Sequence, residues 1–210
     1  MADRLPLDLE PPVRQLRALL LGVDEDDLAA PTPCPGWPVA ALLDHLMGLS
    51  VAFTQAARKR SDVPGTDGPP PQPSAANLAP HWRSRLPALL EELATAWKDP
   101  AAWSGTAQAG GVTLPATAMG TVAVNELVMH GWDLARATGQ DYAADPRTLE
   151  VLVEFISQGP AEGTPGLFGP VVPVGAEEDL LHQAVGLAGR DPAWRPPRTR
   201  DVPSARLGRH

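Results

Sequence analysis

Apolar residues recur at helical intervals along most of this chain. Val13, Leu16, Leu19 and Leu20 fall at i, i+3, i+6 and i+7 and predict a helix over residues 8–22. Leu42, Leu43, Leu46, Leu49, Ser50 and Phe53 mark one face of a second helix, from Val39 to near Arg60. Pro38 is expected at its first position, where a missing N–H does no harm. Trp82, Leu86, Leu89, Leu90, Leu93 and Trp97 keep register over 76–98, with Pro87 either kinking this third helix or marking its true start. A fourth helix runs from Ala116 to Thr138 and is closed by Gly139, a good residue for the left-handed position after a helix. A fifth covers Pro146 to Ser157, and a short one Glu177 to Leu187.

The breaks between helices are compositional. Residues 24–38 are rich in Pro and acids, and 61–75 in Asp, Pro, Gly and Ser. Residues 101–115 carry Gly105, Gly110 and Gly111 and a β-prone stretch to Leu114, so a small hairpin fits in an otherwise irregular loop. No repeat of 20–50 residues is present. The expected fold class is all-α. Four main helices suggest a bundle over residues 1–158, followed by a Pro/Gly-rich extension over 159–210 with a short helix, packed on the bundle, and a mobile end.

Composition narrows the function. A length of 210 residues with 43% apolar content suits one domain with a sizeable core. The net charge of −8 argues against nucleic acid and against an anionic membrane surface, both of which demand clustered basic residues. No apolar run approaches the ~18–20 residues needed to cross a bilayer, and the N-terminus lacks a signal pattern. The single cysteine, Cys34, rules out an intramolecular disulfide and suits a reducing compartment. A soluble cytoplasmic protein is expected.

Glu126 and His130 carry the clearest chemistry. They stand four residues apart in the fourth helix, and neighbours at that spacing have Cβ atoms roughly 5–6 Å apart. The helix around them is apolar almost all the way round, so both are expected to be buried. A divalent cation held between carboxylate and imidazole removes the cost of burying them; a hydrogen-bonded pair is the equally weighted structural alternative. His45, at the border of the second helix's apolar stripe, is the best third ligand, although a lone histidine there is more often a hydrogen-bonded core residue. Asp133, one turn beyond His130, suits the role of orienting a ligand imidazole, or an ion pair with Arg136 or with an arginine on another helix. Cys34 reads as a buried free cysteine rather than a nucleophile, because no histidine lies near it in sequence. Trp37 and Trp132 read as core, His81 and His182 as surface or structural residues.

Two segments resemble a known family. Thr32-Pro33-Cys34-Pro35-Gly36-Trp37-Pro38-Val39 with Leu42-Leu43-Asp44-His45-Leu46, and Asn125-Glu126-Leu127-Val128-Met129-His130-Gly131-Trp132-Asp133-Leu134, resemble the DinB-like metal-binding proteins of actinobacteria. Within that family they are similar to the N-terminal domain of mycothiol-dependent maleylpyruvate isomerase. The resemblance spans roughly residues 8–190 and includes Gly189-Arg190-Asp191-Pro192-Ala193-Trp194. It implies a DinB-like four-helix bundle and one divalent metal, Zn²⁺ with Ni²⁺ as the alternative, held by His45, Glu126 and His130. It also implies mycothiol as co-substrate in isomerisation or transfer to a small electrophile. The Pro-rich chain beyond the fourth helix is expected to be too short for the isomerase's C-terminal domain.

The ligand set itself leaves the chemistry open. Zn²⁺ with one carboxylate retains a charge of +1, which can activate either a thiolate or a water. A thiol-dependent transferase or isomerase, a metal-dependent hydrolase with Asp133 as its base, and a non-enzymatic metal-binding stress-response protein all follow. A homodimer through the apolar faces of the bundle is a further expectation.

Overall fold

The computed structural model describes residues 7–60, 71–164 and 168–197. The expected loop thus lies partly, over 61–70, outside the described residues, as does the expected mobile end. Six α-helices and one β-hairpin make up the described structure: α1 (Glu10–Leu21), α2 (Val39–Ala57), α3 (Trp82–Trp97), β1 (Thr106–Ala109), β2 (Val112–Pro115), α4 (Ala116–Thr138), α5 (Pro146–Ile156) and α6 (Leu180–Leu187). The fold is therefore mostly helical rather than purely so. The hairpin forms because Gly110 and Gly111 both adopt positive φ, 58° and 76°, as a tight two-residue connection requires. Ala107 pairs with Leu114 and Gln108 with Thr113 across it.

Most helix limits follow the apolar pattern closely, and α3 does not. It begins at Trp82 instead of 76, after a short 3₁₀ turn at Ala75–Asn77. Pro80 accounts for this, since the residue preceding a proline is driven away from helical ψ. Pro87 lies in the second turn and only removes one donor. Pro38 caps α2 in an extended conformation, one residue earlier than expected, and α2 closes at Ala57 with Lys59 in the left-handed region. Asp145 and Asp179 cap α5 and α6 by accepting the backbone N–H groups of Thr148 and His182, both at 2.9 Å.

Helices α1 and α2 each pack against both α3 and α4. Their shared interior is lined by Leu16, Leu42, Leu46, Leu86, Leu90, Leu93, Leu127 and Leu134, all fully buried. Helix α2, 19 residues long, is apolar enough to cross a membrane on length and composition, with a mean hydropathy of 1.3 over an 18-residue window, contrary to the sequence reading. Two-thirds of its apolar window is instead buried within the fold. Helix α4 is buried on nearly every face because α1, α2, α5 and the hairpin all touch it.

The chain beyond α4 returns to it. Tyr142 packs on Gly131, where a Cβ would come within 2.9 Å of the ring. After α6, Gly189 crosses the backbone of Gly169 so closely that a Cβ would meet it at 2.7 Å, and its φ of +82° also favours glycine. This crossing delivers the next residue, Arg190, to the side of α4.

Candidate functional site

One turn of α4 and one side chain of α2 meet where the helices pack. His45 Nε2 lies 3.4 Å from Glu126 Oε2, and His130 Nε2 lies 3.1 Å from the same oxygen. The two imidazoles stand nearly perpendicular, with centroids 4.8 Å apart. The three expected ligands are thus brought together, with one donor atom from each within 4.8 Å of the others. The two distances to Glu126 Oε2 lie close to the edge of roughly 3.3 Å in a tetrahedron whose ligand bonds are about 2.0–2.1 Å. His45 and Glu126 remain 20% and 17% exposed and His130 only 6%, so the cluster opens toward solvent on the side of α2.

Behind His130 lies a second layer. Its Nδ1 is 2.9 Å from Asp133 Oδ2, and Asp133 is wholly buried. Arg190 bonds both oxygens of that carboxylate, Nε to Oδ1 at 3.2 Å and Nη2 to Oδ2 at 3.0 Å. Asp133 therefore touches both a histidine and an arginine, although the arginine is neither Arg136 nor on a helix. The arginine comes from the C-terminal extension. Arg136 instead reaches the carbonyl of Pro192.

The loop before α2 supplies what the sequence reading missed. Thr32 Oγ1 donates to the Trp37 carbonyl at 2.8 Å and accepts the Cys34 N–H at 3.2 Å. The Trp37 N–H bonds the Cys34 carbonyl at 3.1 Å across Pro35-Gly36, with Gly36 at φ +79°. This is the turn that a Pro-Gly pair at its centre favours. It places Cys34 Sγ 3.1 Å from Asp133 Oδ2 and 3.9 Å from His130 Nδ1. The Trp37 ring stands 5.0 Å from His45 and 6.1 Å from His130, centroid to centroid. Cys34 is thus beside a histidine that is distant only in sequence, and Trp37 walls the site rather than filling the core. The one signal available was that both lie in the same quoted segment as His45. Trp132 is buried, as expected.

Charge follows from this packing. Burial alone pushes the Glu126 carboxyl up, but hydrogen bonds from His130 and His45 outweigh it and hold the group well below the usual range. Burial likewise opposes ionisation of Asp133, and the Arg190 charge with the His130 bond reverses that. Burial disfavours a charged His130, yet Asp133, Cys34 and Glu126 together raise it well above an ordinary histidine. Two carboxylates flanking one imidazole demand a positive charge between them, which a proton or a metal ion can supply. The donor set of two imidazoles and one carboxylate fits a borderline divalent cation.

Known proteins resemble this chain in sequence and in fold. Residues 9–135 match the family described as the mycothiol maleylpyruvate isomerase N-terminal domain. Two uncharacterized proteins of Mycobacterium tuberculosis, from strains CDC 1551 and H37Rv, are each 29% identical over 161 residues, covering 77% of this chain and 80% of theirs. The crystal structure of the mycothiol-dependent maleylpyruvate isomerase superposes with a TM-score of 0.57 at 21% identity, over 87% of this chain and 86% of that one. A histidine-to-alanine variant of the isomerase gives 0.55 with the same identity and coverage. An overlap of that length extends past α4.

Proposed function

The chain belongs to the mycothiol maleylpyruvate isomerase N-terminal domain family, and from that premise we propose that it is a metal- and thiol-dependent isomerase or transferase acting on a small electrophile. In this reading α1–α4 form a DinB-like four-helix bundle over residues 1–158, extended by 159–210, and the protein works in the cytoplasm. His45, Glu126 and His130 hold one divalent cation, Zn²⁺ by preference and Ni²⁺ as the alternative. The convergence of these three side chains carries the proposal.

When bound, the cation supplies the Lewis acidity that keeps a thiol of the mycothiol class deprotonated at neutral pH. The protein's own groups do the rest. Asp133 accepts the Nδ1 proton of His130, which turns the Nε2 lone pair toward Glu126 and the shared site. Arg190 keeps Asp133 ionised and fixed. Trp37 covers one side of the two imidazoles and limits access by water. The exposed edges of His45 and Glu126 leave an approach for thiol and electrophile.

The hydrolase alternative required Asp133 as general base. Both of its oxygens are committed to His130, Cys34 and Arg190, and no part of the side chain is exposed, which argues against that role. A closed storage site is disfavoured by the accessible edge of His45.

The decisive measurement has two parts. Elemental analysis of protein purified without added metal should give close to one divalent ion per chain, absent in His130→Ala. A model electrophile should turn over with mycothiol in the wild type and not in that variant. Turnover retained by His130→Ala defeats the proposal.

A further inference from the structure

His130 faces two different sets of donors. Its Nε2 looks toward Glu126 and His45; its Nδ1 looks the opposite way, toward Asp133 Oδ2 at 2.9 Å and Cys34 Sγ at 3.9 Å. Cys34 Sγ and Asp133 Oδ2 are themselves 3.1 Å apart, so sulfur, nitrogen and oxygen form a small triangle. A cation bound tetrahedrally by a thiolate at about 2.3 Å and by nitrogen and oxygen at about 2.0–2.1 Å holds those atoms roughly 3.3–3.6 Å apart. Every edge here lies within roughly half an ångström of that spacing, less than a change of side-chain torsion supplies.

We propose that Cys34, His130 and Asp133 form a second cation site for a thiophilic divalent ion, set back to back with the first and sharing its imidazole. Sulfur distinguishes it chemically. The outer set offers only nitrogen and oxygen, whereas the inner set adds a soft donor that favours zinc-like and cadmium-like ions. Cys34 as a residue is only partly buried. Binding releases the thiol proton of Cys34 and the Nδ1 proton of His130 to solvent and forms bonds to sulfur, nitrogen and oxygen, with no change of oxidation state.

Arg190 shows that the pocket already accommodates positive charge. Its Nη2 lies 3.0 Å from Asp133 Oδ2 and 3.8 Å from Cys34 Sγ, near where a cation would sit. Its Nε holds the other oxygen, Oδ1, at 3.2 Å, so the guanidinium can release Oδ2 and stay anchored. With both positions filled, two divalent ions meet four negative groups: the Cys34 thiolate, the bridging imidazolate, Glu126 and Asp133. The inner site is linked to the outer one through His130 alone, so loss of His45 leaves all three of its donors in place.

Cobalt(II) titration tests this, because a thiolate ligand produces an intense near-ultraviolet charge-transfer band that nitrogen and oxygen ligands do not. Cys34 is the only cysteine in the chain, so the band reports one residue. In the wild type the band should grow to one cobalt per chain, either with the first equivalent or with a second. It should survive His45→Ala, which removes only the outer set, and vanish in Cys34→Ser. Arg190→Gln should tighten the sulfur-ligated ion at least tenfold, because the competing guanidinium is gone. Saturation of the wild type with cobalt without any such band overturns the proposal whatever the variants do, and leaves the outer site untouched. A band that persists in Cys34→Ser overturns it equally.

Discussion

The guanidinium of Arg190 grips both carboxylate oxygens of Asp133, at 3.2 and 3.0 Å, across 57 residues of sequence. Removing one partner of a buried pair leaves the other charge uncompensated, a loss of about 3–5 kcal/mol. Arg190→Ala should therefore lower the urea midpoint markedly. Arg190→Lys should recover only part, since an ammonium cannot serve both oxygens through a fixed fork. A midpoint unchanged in Arg190→Ala contradicts the pairing.

Asp133→Asn keeps the shape of the side chain but removes the acceptor that fixes the His130 tautomer. Metal affinity should fall by about 10–100-fold, as it does when a ligand histidine loses its partner. Competition with a chromophoric chelator measures this directly, and unaltered affinity contradicts the orienting role.

His45 is 20% exposed and packs against Glu126, Trp37 and His130, so His45→Ala should cost the metal-free protein about 0.5–3 kcal/mol. The same variant should lose the thermal stabilisation that excess Zn²⁺ confers on the wild type, about 2.7 kcal/mol when the ion is at 100 times its dissociation constant. A variant still stabilised by zinc to the full extent removes His45 from the ligand set.

Acid and base should act on the metal-free protein in opposite ways. Glu126 and Asp133 titrate below their ordinary values of 4.5 and 3.8, so their stabilisation is complete above about pH 4.5 and is lost as pH falls through the lowered values. His130 titrates above its ordinary 6.5, so its contribution is complete below pH 6.5 and is lost as pH rises through the raised value. Denaturation in the presence of a chelator should show greatest stability between about pH 4.5 and 6.5. Added metal should flatten the alkaline limb, because the ion takes the place of the proton. A chelated protein equally stable at pH 6 and pH 9 contradicts this.

Gly36 sits at φ +79° with nothing within 4 Å of where a Cβ would stand, so its constraint is conformational alone. Gly36→Ala should cost about 1–2 kcal/mol. It should also shift the fluorescence of Trp37 and weaken metal binding by moving the wall of the site. Unchanged fluorescence and affinity would show that the turn tolerates a side chain.

The helices were legible because their apolar spacing coincides with what the fold buries, as Leu42, Leu46, Leu86 and Leu93 show. The start of α3 was placed too early even though its apolar register begins at Trp82, because the backbone effect of Pro80 was not weighed. The three expected ligands were found together, since i,i+4 spacing is a local property and His45 lay on a readable helix edge. Cys34 and Arg190 were not legible as part of the site. Cys34 reaches it through a turn, and Arg190 through the Gly169–Gly189 crossing, neither of which leaves a periodic trace.

That crossing has a consequence during synthesis. A nascent polypeptide that has emerged only as far as the end of α4 already possesses every side chain of the outer triad, yet Asp133 is without its guanidinium. Until Gly189 threads past Gly169, the cavity behind His130 holds an anion with no permanent counter-ion. Completion of the tertiary structure therefore decides what neutralises that anion: a proton or a captured cation before the chain after α6 has docked, and the guanidinium afterwards.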